Sequence, residues 1–158
     1  KSGQGSATVH RGELVVAALV VVNAFGDIYD RRGNLLAGPR NPETGSMEKT
    51  VNLLLETERT GSPGNTTLGV VATNAALSRE ALFKVCQMAH NGLARCIWPV
   101  HTLWDGDTVF ALSRGVVAAD VSIVGLMAAE AVSHAVERAA ITATSLGGVP
   151  ALTDLKNM

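Results

Sequence analysis

Gly61-Ser62-Pro63-Gly64-Asn65-Thr66-Thr67-Leu68-Gly69-Val70-Val71-Ala72-Thr73 is the stretch on which the reading of this chain turns. A breaker rich in Gly and Pro, beginning at Thr60, runs straight into β-branched and apolar residues, so Thr66 to Thr73 reads as a strand entered from a loop. An Asn-Thr bond sits at the junction. A Thr hydroxyl there is placed to attack the carbonyl before it, and an N-to-O acyl shift followed by hydrolysis frees a new N-terminus. The freed amine, with an ordinary pKa of about 7.7–8.0, then takes the proton from its own hydroxyl near neutral pH. The same residues also suit a plain strand entry whose threonines simply have good β-propensity. A phosphate loop is excluded, because it would follow a strand and open a helix with a Lys, and here the order is reversed.

Working outward, Leu14 to Val22, entered from Glu13, is an unbroken apolar run that reads as a strand buried on both faces and ending at Asn23, with a helix segment as the alternative. Lys1 to Ser6 reads as a flexible, glycine-punctuated entry. Ile28-Tyr29 and Leu35 to Ala37 flank the turn Asp30 to Asn34 as a hairpin. Residues 38–46 form a loop, and Met47 to Leu55 has a helical tendency. Ser78 with Glu80 opens a helix carrying Leu82, Val85, Ala89 and Leu93 on one face. Thr108 to Ser113 is a further strand. From Ala119 an Ala-rich helix is expected to run towards Leu146 and stop at Gly147-Gly148. Strands and helices in layers make an α/β domain.

Composition supports one folded domain. The chain has 158 residues, 47% hydrophobic and 17% charged, which excludes intrinsic disorder. Aromatics are only 4%, so the core must come from Val, Leu, Ile and Ala. A net charge of -1 with no local Lys/Arg cluster argues against nucleic acid as a partner. The apolar run Leu14 to Val22 is too short to span a bilayer, so no membrane partner is expected. Cys86 and Cys96 read as free thiols on one helix, fitting a reducing, cytoplasmic setting.

His101-Thr-Leu-Trp-Asp105-Gly-Asp107 is the second chemical stretch, with two carboxylates flanking a Gly immediately before a strand. They suit orientation of a nucleophile, and equally an Asx-type turn with solvated acids. A metal site at His101, Asp105 and Asp107 has no standard ligand spacing, and neither metal nor cofactor is expected. Asn23 is placed to donate to an oxyanion, or to form a turn before Gly26. His90 and His134 lie on helices and read as structural.

Together, Lys1 to Ala7, Val20 to Ala24, Asn65 to Asn74, Ala89 to Arg95 and Pro99 to Leu112 resemble the P1-type peptidases, the self-processing L-aminopeptidase/D-amidase/esterases. The similarity is nearest to the branch of nylon-oligomer (6-aminohexanoate oligomer) hydrolases. The resemblance implies a four-layer αββα sandwich, similar to N-terminal-nucleophile hydrolases but differently connected. It implies an amide-bond hydrolase acting on a small peptide or amide and cut between Asn65 and Thr66. Residues 1–65 would end the first subunit and 66–158 would form the second. Thr66 would be the nucleophile and Asn23 the oxyanion donor. Asp105 and Asp107 would orient the nucleophile and its amine, and Lys1 would match a site Lys. Family members carry a long segment ahead of the position of Lys1, so the chain is expected to be the C-terminal part of a larger fold. The alternative, from another class, is a non-catalytic α/β scaffold or binding subunit. An Ala-rich final helix that is apolar around most of its girth must be covered on several sides, by a neighbouring helix or by a partner subunit. With the resemblance this leads to an expected homo-oligomer, a tetramer of processed pairs.

Overall fold

Strand alternation decides which residues become core. In the computed structural model, which describes residues 1–56 and 64–155, β1 (Gln4–Arg11) and β2 (Leu14–Asn23) form an antiparallel hairpin. Leu14, Val16, Ala18, Val20 and Val22 are buried, while Leu19 and Val21 remain 49% exposed. The long apolar run is therefore buried on one face within this chain, not on two. Where a flexible entry is expected over Lys1 to Ser6, a strand begins at Gln4 and pairs along β2; the Gly and polar residues mask it in the sequence.

The small sheet follows, with β3 (Asp27–Tyr29) and β4 (Leu35–Ala37) making the expected hairpin. Helix α1 (Thr50–Glu56) lies beyond the loop. Asp27 is fully buried and accepts from the Thr50 amide and hydroxyl and from Tyr29 Oη, tying the hairpin to α1. Burial, and then the nearby Asp27 charge, push the Tyr29 phenol up.

Strand β5 (Thr66–Ala75) pairs antiparallel with β2 and parallel with β7 (Thr108–Val117), giving the order β1-β2-β5-β7. A parallel pair requires a crossover, here helix α2 (Arg79–Ala94) and β6 (Ile97–Trp98). β6 joins the small sheet, ordered β4-β3-β6. Ser78 caps α2 by accepting from the Ala81 amide. Cys96 lies past the end of α2, so the two cysteines do not share a helix.

Helix α3 (Val121–Ile141) is capped by Asp120, and α4 (Leu152–Leu155) is a single turn. α3 ends before the expected Leu146, at Thr142, whose hydroxyl bonds back to the Arg138 carbonyl. It packs on α2, β1 and β2, burying Val124, Ala128, Val132, Val136 and Ala139. Gly5 of β1 permits this contact: a Cβ there would meet the Ala135 carbonyl oxygen at 2.1 Å and the Ala139 amide nitrogen at 2.5 Å. The small residues of α3 are thus explained by packing within the chain. The α/β architecture is as expected, with α2 and α3 covering one sheet face. The opposite face carries Leu19, Val21, Leu68, Val70, Phe110 and Leu112, all exposed. Among the described residues no helix is long and apolar enough to cross a membrane. The breaker from Thr60 to Pro63 lies outside the described residues.

Candidate active site

Register assembles the site. Asn23, the last residue of β2, is directly across from Thr66, the first of β5, so their side chains share the open face. On the other flank Asn65 bridges Asp105 in parallel fashion, just ahead of the β5–β7 ladder. Three chain segments far apart in sequence therefore meet at the Asn65–Thr66 bond.

At that bond, Thr66 Oγ1 donates to the Asn65 carbonyl oxygen at 2.5 Å. The Gly106 amide donates to the same oxygen at 3.0 Å. Gly106 also makes room: a Cβ there would stand 2.8 Å from Thr66 Oγ1. Asn23 Nδ2 donates to the Gly64 carbonyl at 3.2 Å, one peptide ahead of the Asn65 carbonyl. Gly64, at φ +137°, occupies backbone space that favours glycine. The Asn65 amide group donates to the Ala24 carbonyl at 3.1 Å, pinning the loop from the other side.

The two carboxylates hold the frame. Asp105 Oδ1 accepts from the Phe25 amide at 3.2 Å and Oδ2 from the Thr102 hydroxyl at 2.8 Å. The Phe25 and Trp104 rings, 5.1 Å apart, press the same two loops together. Asp107 Oδ1 accepts from the Thr67 amide at 2.9 Å, and Oδ2 lies 3.2 Å from His101 Nδ1. The Asp107 side chain is only 4% exposed, so this is not a solvated turn. Among the described residues the Thr66 hydroxyl bonds to Asn65 and to neither carboxylate. His90 packs edge-on to His101; burial, then the neighbouring His101 charge, hold the His90 imidazole below its ordinary pKa.

Lys1 stands apart from this cluster, its Nζ donating to the Thr144 carbonyl at 3.1 Å. With Ser2, Ala24, Phe25, Gly26 and Ile28 it lines a cavity of about 420 Å³ beside the site. Asn65, Thr66, Asn23, Asp105 and Asp107 are brought together. Sequence reasoning passed over Gly106 and Thr102, and considered His101 only as a metal ligand. Gly106 lies inside the Asp-Gly-Asp pattern, but a backbone donor leaves no mark in residue type. No group of three His, Cys, Asp or Glu side chains suited to a metal ion occurs among the described residues.

The chain is 36% identical to an uncharacterised aminopeptidase of Mycobacterium tuberculosis, over 97% of its own length and 51% of the relative's. It is 32% identical to a 6-aminohexanoate-oligomer endohydrolase of a Kocuria species, over 88% of this chain and 44% of that one. It therefore spans about half the length of these curated relatives. The fold matches that of the L-aminopeptidase D-Ala-esterase/amidase of Ochrobactrum anthropi with a TM-score of 0.62. That match has 24% identity and covers 95% of this chain and 43% of the other; the neighbour is described as a variant of the Ntn hydrolase fold. The family model of Peptidase family S58 matches residues 1–153, and the chain belongs to that family.

Proposed function

We propose that the protein containing this chain is a self-processing amide-bond hydrolase, cut between Asn65 and Thr66, with Thr66 as its N-terminal nucleophile. One observation carries the reading: Thr66 Oγ1 and the Gly106 amide converge on the Asn65 carbonyl oxygen. Rotation about χ1 of Thr66 carries the hydroxyl from that oxygen to the carbonyl carbon. Gly106 N–H then stabilises the developing oxyanion. Collapse breaks the C–N bond as the hydroxyl proton passes to the leaving Thr66 nitrogen, leaving Asn65 as an ester on Thr66 Oγ1; water then hydrolyses that ester to the Asn65 carboxylate and the free Thr66 hydroxyl.

Departure of Asn65 frees Asn23 Nδ2 from the Gly64 carbonyl and opens the Gly106 amide. Both donors then face the place where the carbonyl of an incoming amide would sit. The Thr66 amine acts as base for its own hydroxyl. Asp105 and Asp107 fix the loops that carry the donors. The apolar cavity beside Phe25 suits an uncharged portion of a small peptide or amide substrate, with Lys1 at its rim. The reading includes a homo-oligomer, a tetramer of processed pairs, supported by the exposed apolar sheet face, and a cytoplasmic location, supported by two free thiols.

Intact mass and N-terminal sequencing of the freshly purified longer protein test the reading. Thr66→Ala is expected to leave one uncut chain without turnover, while Thr66→Ser still cuts. Thr67→Ala is tolerated, since its side chain lies on the opposite face. Cutting at Thr66 in the Thr66→Ala protein would remove Thr66 from the mechanism. A wild-type chain that is neither cut nor active would leave a non-catalytic scaffold.

A further inference from the structure

His101 is the one non-glycine residue among those described with a backbone in the left-handed region, at φ +56°. A side chain is strained there, and such positions persist where the surroundings over-determine them. What the surroundings gain is visible at the imidazole. Nδ1 stands 3.2 Å from Asp107 Oδ2, within ion-pair distance of a buried oxygen that receives no hydrogen bond from any described residue, so a small turn of the ring would complete one. An unpartnered buried carboxylate oxygen is costly, and among the described residues the His101 imidazole is its ion-pair partner. The other oxygen of the same carboxylate receives the Thr67 amide, immediately after Thr66. His90 of α2 stacks edge-on against the His101 ring at 4.9 Å and limits its rotation.

We infer that His101 is a positioning residue: its imidazole fixes the Asp107 carboxylate, which in turn fixes the Thr67 amide and with it the start of β5 that presents Thr66. This rests on the proposed role of Thr66 for its kinetic consequence, but the His101–Asp107 contact itself does not. The imidazole takes no part in bond making, and no proton leaves it during the reaction.

Two substitutions separate backbone from side chain. His101→Gly relieves the backbone and deletes the donor. His101→Asn keeps an amide nitrogen where Nδ1 was, and Asn tolerates the left-handed region better than most residues. In the longer protein, His101→Gly is expected to slow both self-cutting and kcat by about tenfold to a hundredfold, through misplacement of the reacting groups, with KM little changed. His101→Asn restores most of the rate. Full activity in His101→Gly would show that the residue serves only the loop backbone and would overturn the inference. So would a His101→Asn protein as slow as the Gly variant with an unaltered melting temperature. Nitrogen-15 imidazole spectra of histidine-labelled protein test the contact without catalysis. The His101 signal, assigned by its loss in His101→Gly, should report a hydrogen-bonded Nδ1–H that disappears in Asp107→Asn. A His101 signal unmoved by Asp107→Asn would refute the contact. If Thr66→Ala still cuts while the spectra behave as expected, the fault lies in the nucleophile assignment and the positioning contact stands.

Discussion

Thr66 and Thr67 are consecutive on one strand and live in opposite surroundings. Thr66 stands on the open sheet face with Asn23, Leu68 and Val70, its hydroxyl on the carbonyl before it. Thr67 lies under the helices, wholly buried, and its hydroxyl has no partner among the described residues. The period of two along a strand separates chemistry from cohesion. Substitutions on the open face at this end of the sheet should register as rates, and those on the covered face as melting temperatures.

The largest effects lie at the two aspartates that frame the Thr66 end of the sheet. Asp105→Asn or Asp107→Asn should lower turnover of the longer, active protein by about a hundredfold or more, as for misplacement of the reacting groups. The fold should survive, because an amide oxygen still accepts from Phe25 or Thr67. Full activity in both variants would reduce these residues to a turn. On the covered side, Gly5→Ala should cost about 1–3 kcal/mol or more, since the new methyl strikes helix backbone that cannot swing aside. At about 2–4 °C per kcal/mol for a domain of this size, calorimetry resolves it. A melting temperature unchanged by Gly5→Ala would mean that α3 is not seated as described.

These contrasts also explain what could be read in advance. β5 and the cap Ser78 were legible because their signals are local: β-branched alternation, and a short polar residue before a helix. β1 was not, because Gly3 and Gly5 suggest flexibility in sequence while the fold uses Gly5 for close approach. The far end of α3 was overrun because Thr142 to Ser145 continue its small-residue pattern, and the back-bonding Thr142 that ends the helix is a tertiary outcome. The all-round apolar character of α3 was legible; its cover was not, since α2, β1 and β2 provide it within one chain. At the site, residue types announced Thr66, Asn23 and the two aspartates. The Gly106 amide and the left-handed His101 belong to the backbone, and side-chain patterns do not encode them.

A smaller test returns to Thr67. Replacing it by Val keeps the shape and removes a buried hydroxyl that bonds to no described residue, so stability should rise by up to about 1 kcal/mol. The backbone amide held by Asp107 is untouched, and the rate of self-cutting should match the parent protein. A loss of stability would mean that the hydroxyl has a partner after all.

The smallest effect lies at the outer rim of the covering helices. Glu130 of α3 receives Arg95 at 2.7 Å, meets His134 at 2.8 Å, and lies 3.9 Å from Arg31 of the β3–β4 turn. The Arg95 hydrogen bond, followed in size by opposing desolvation and then by the His134 bond, holds its carboxyl below the ordinary value of 4.5. A carboxylate depressed in the folded state contributes stability above its unfolded pKa and loses it as pH falls through the folded one. With 35% of the side chain exposed, solvent screens much of the attraction, and Glu130→Gln should cost less than about 1 kcal/mol near neutral pH. At an acid pH, where the folded parent's Glu130 takes up its proton, the difference should shrink. Urea midpoints for the two proteins at both pH values measure this directly. A difference that stays constant with pH would mean that Glu130 acts through packing, and that charge adds nothing to how α2, α3 and the hairpin are held over the covered face.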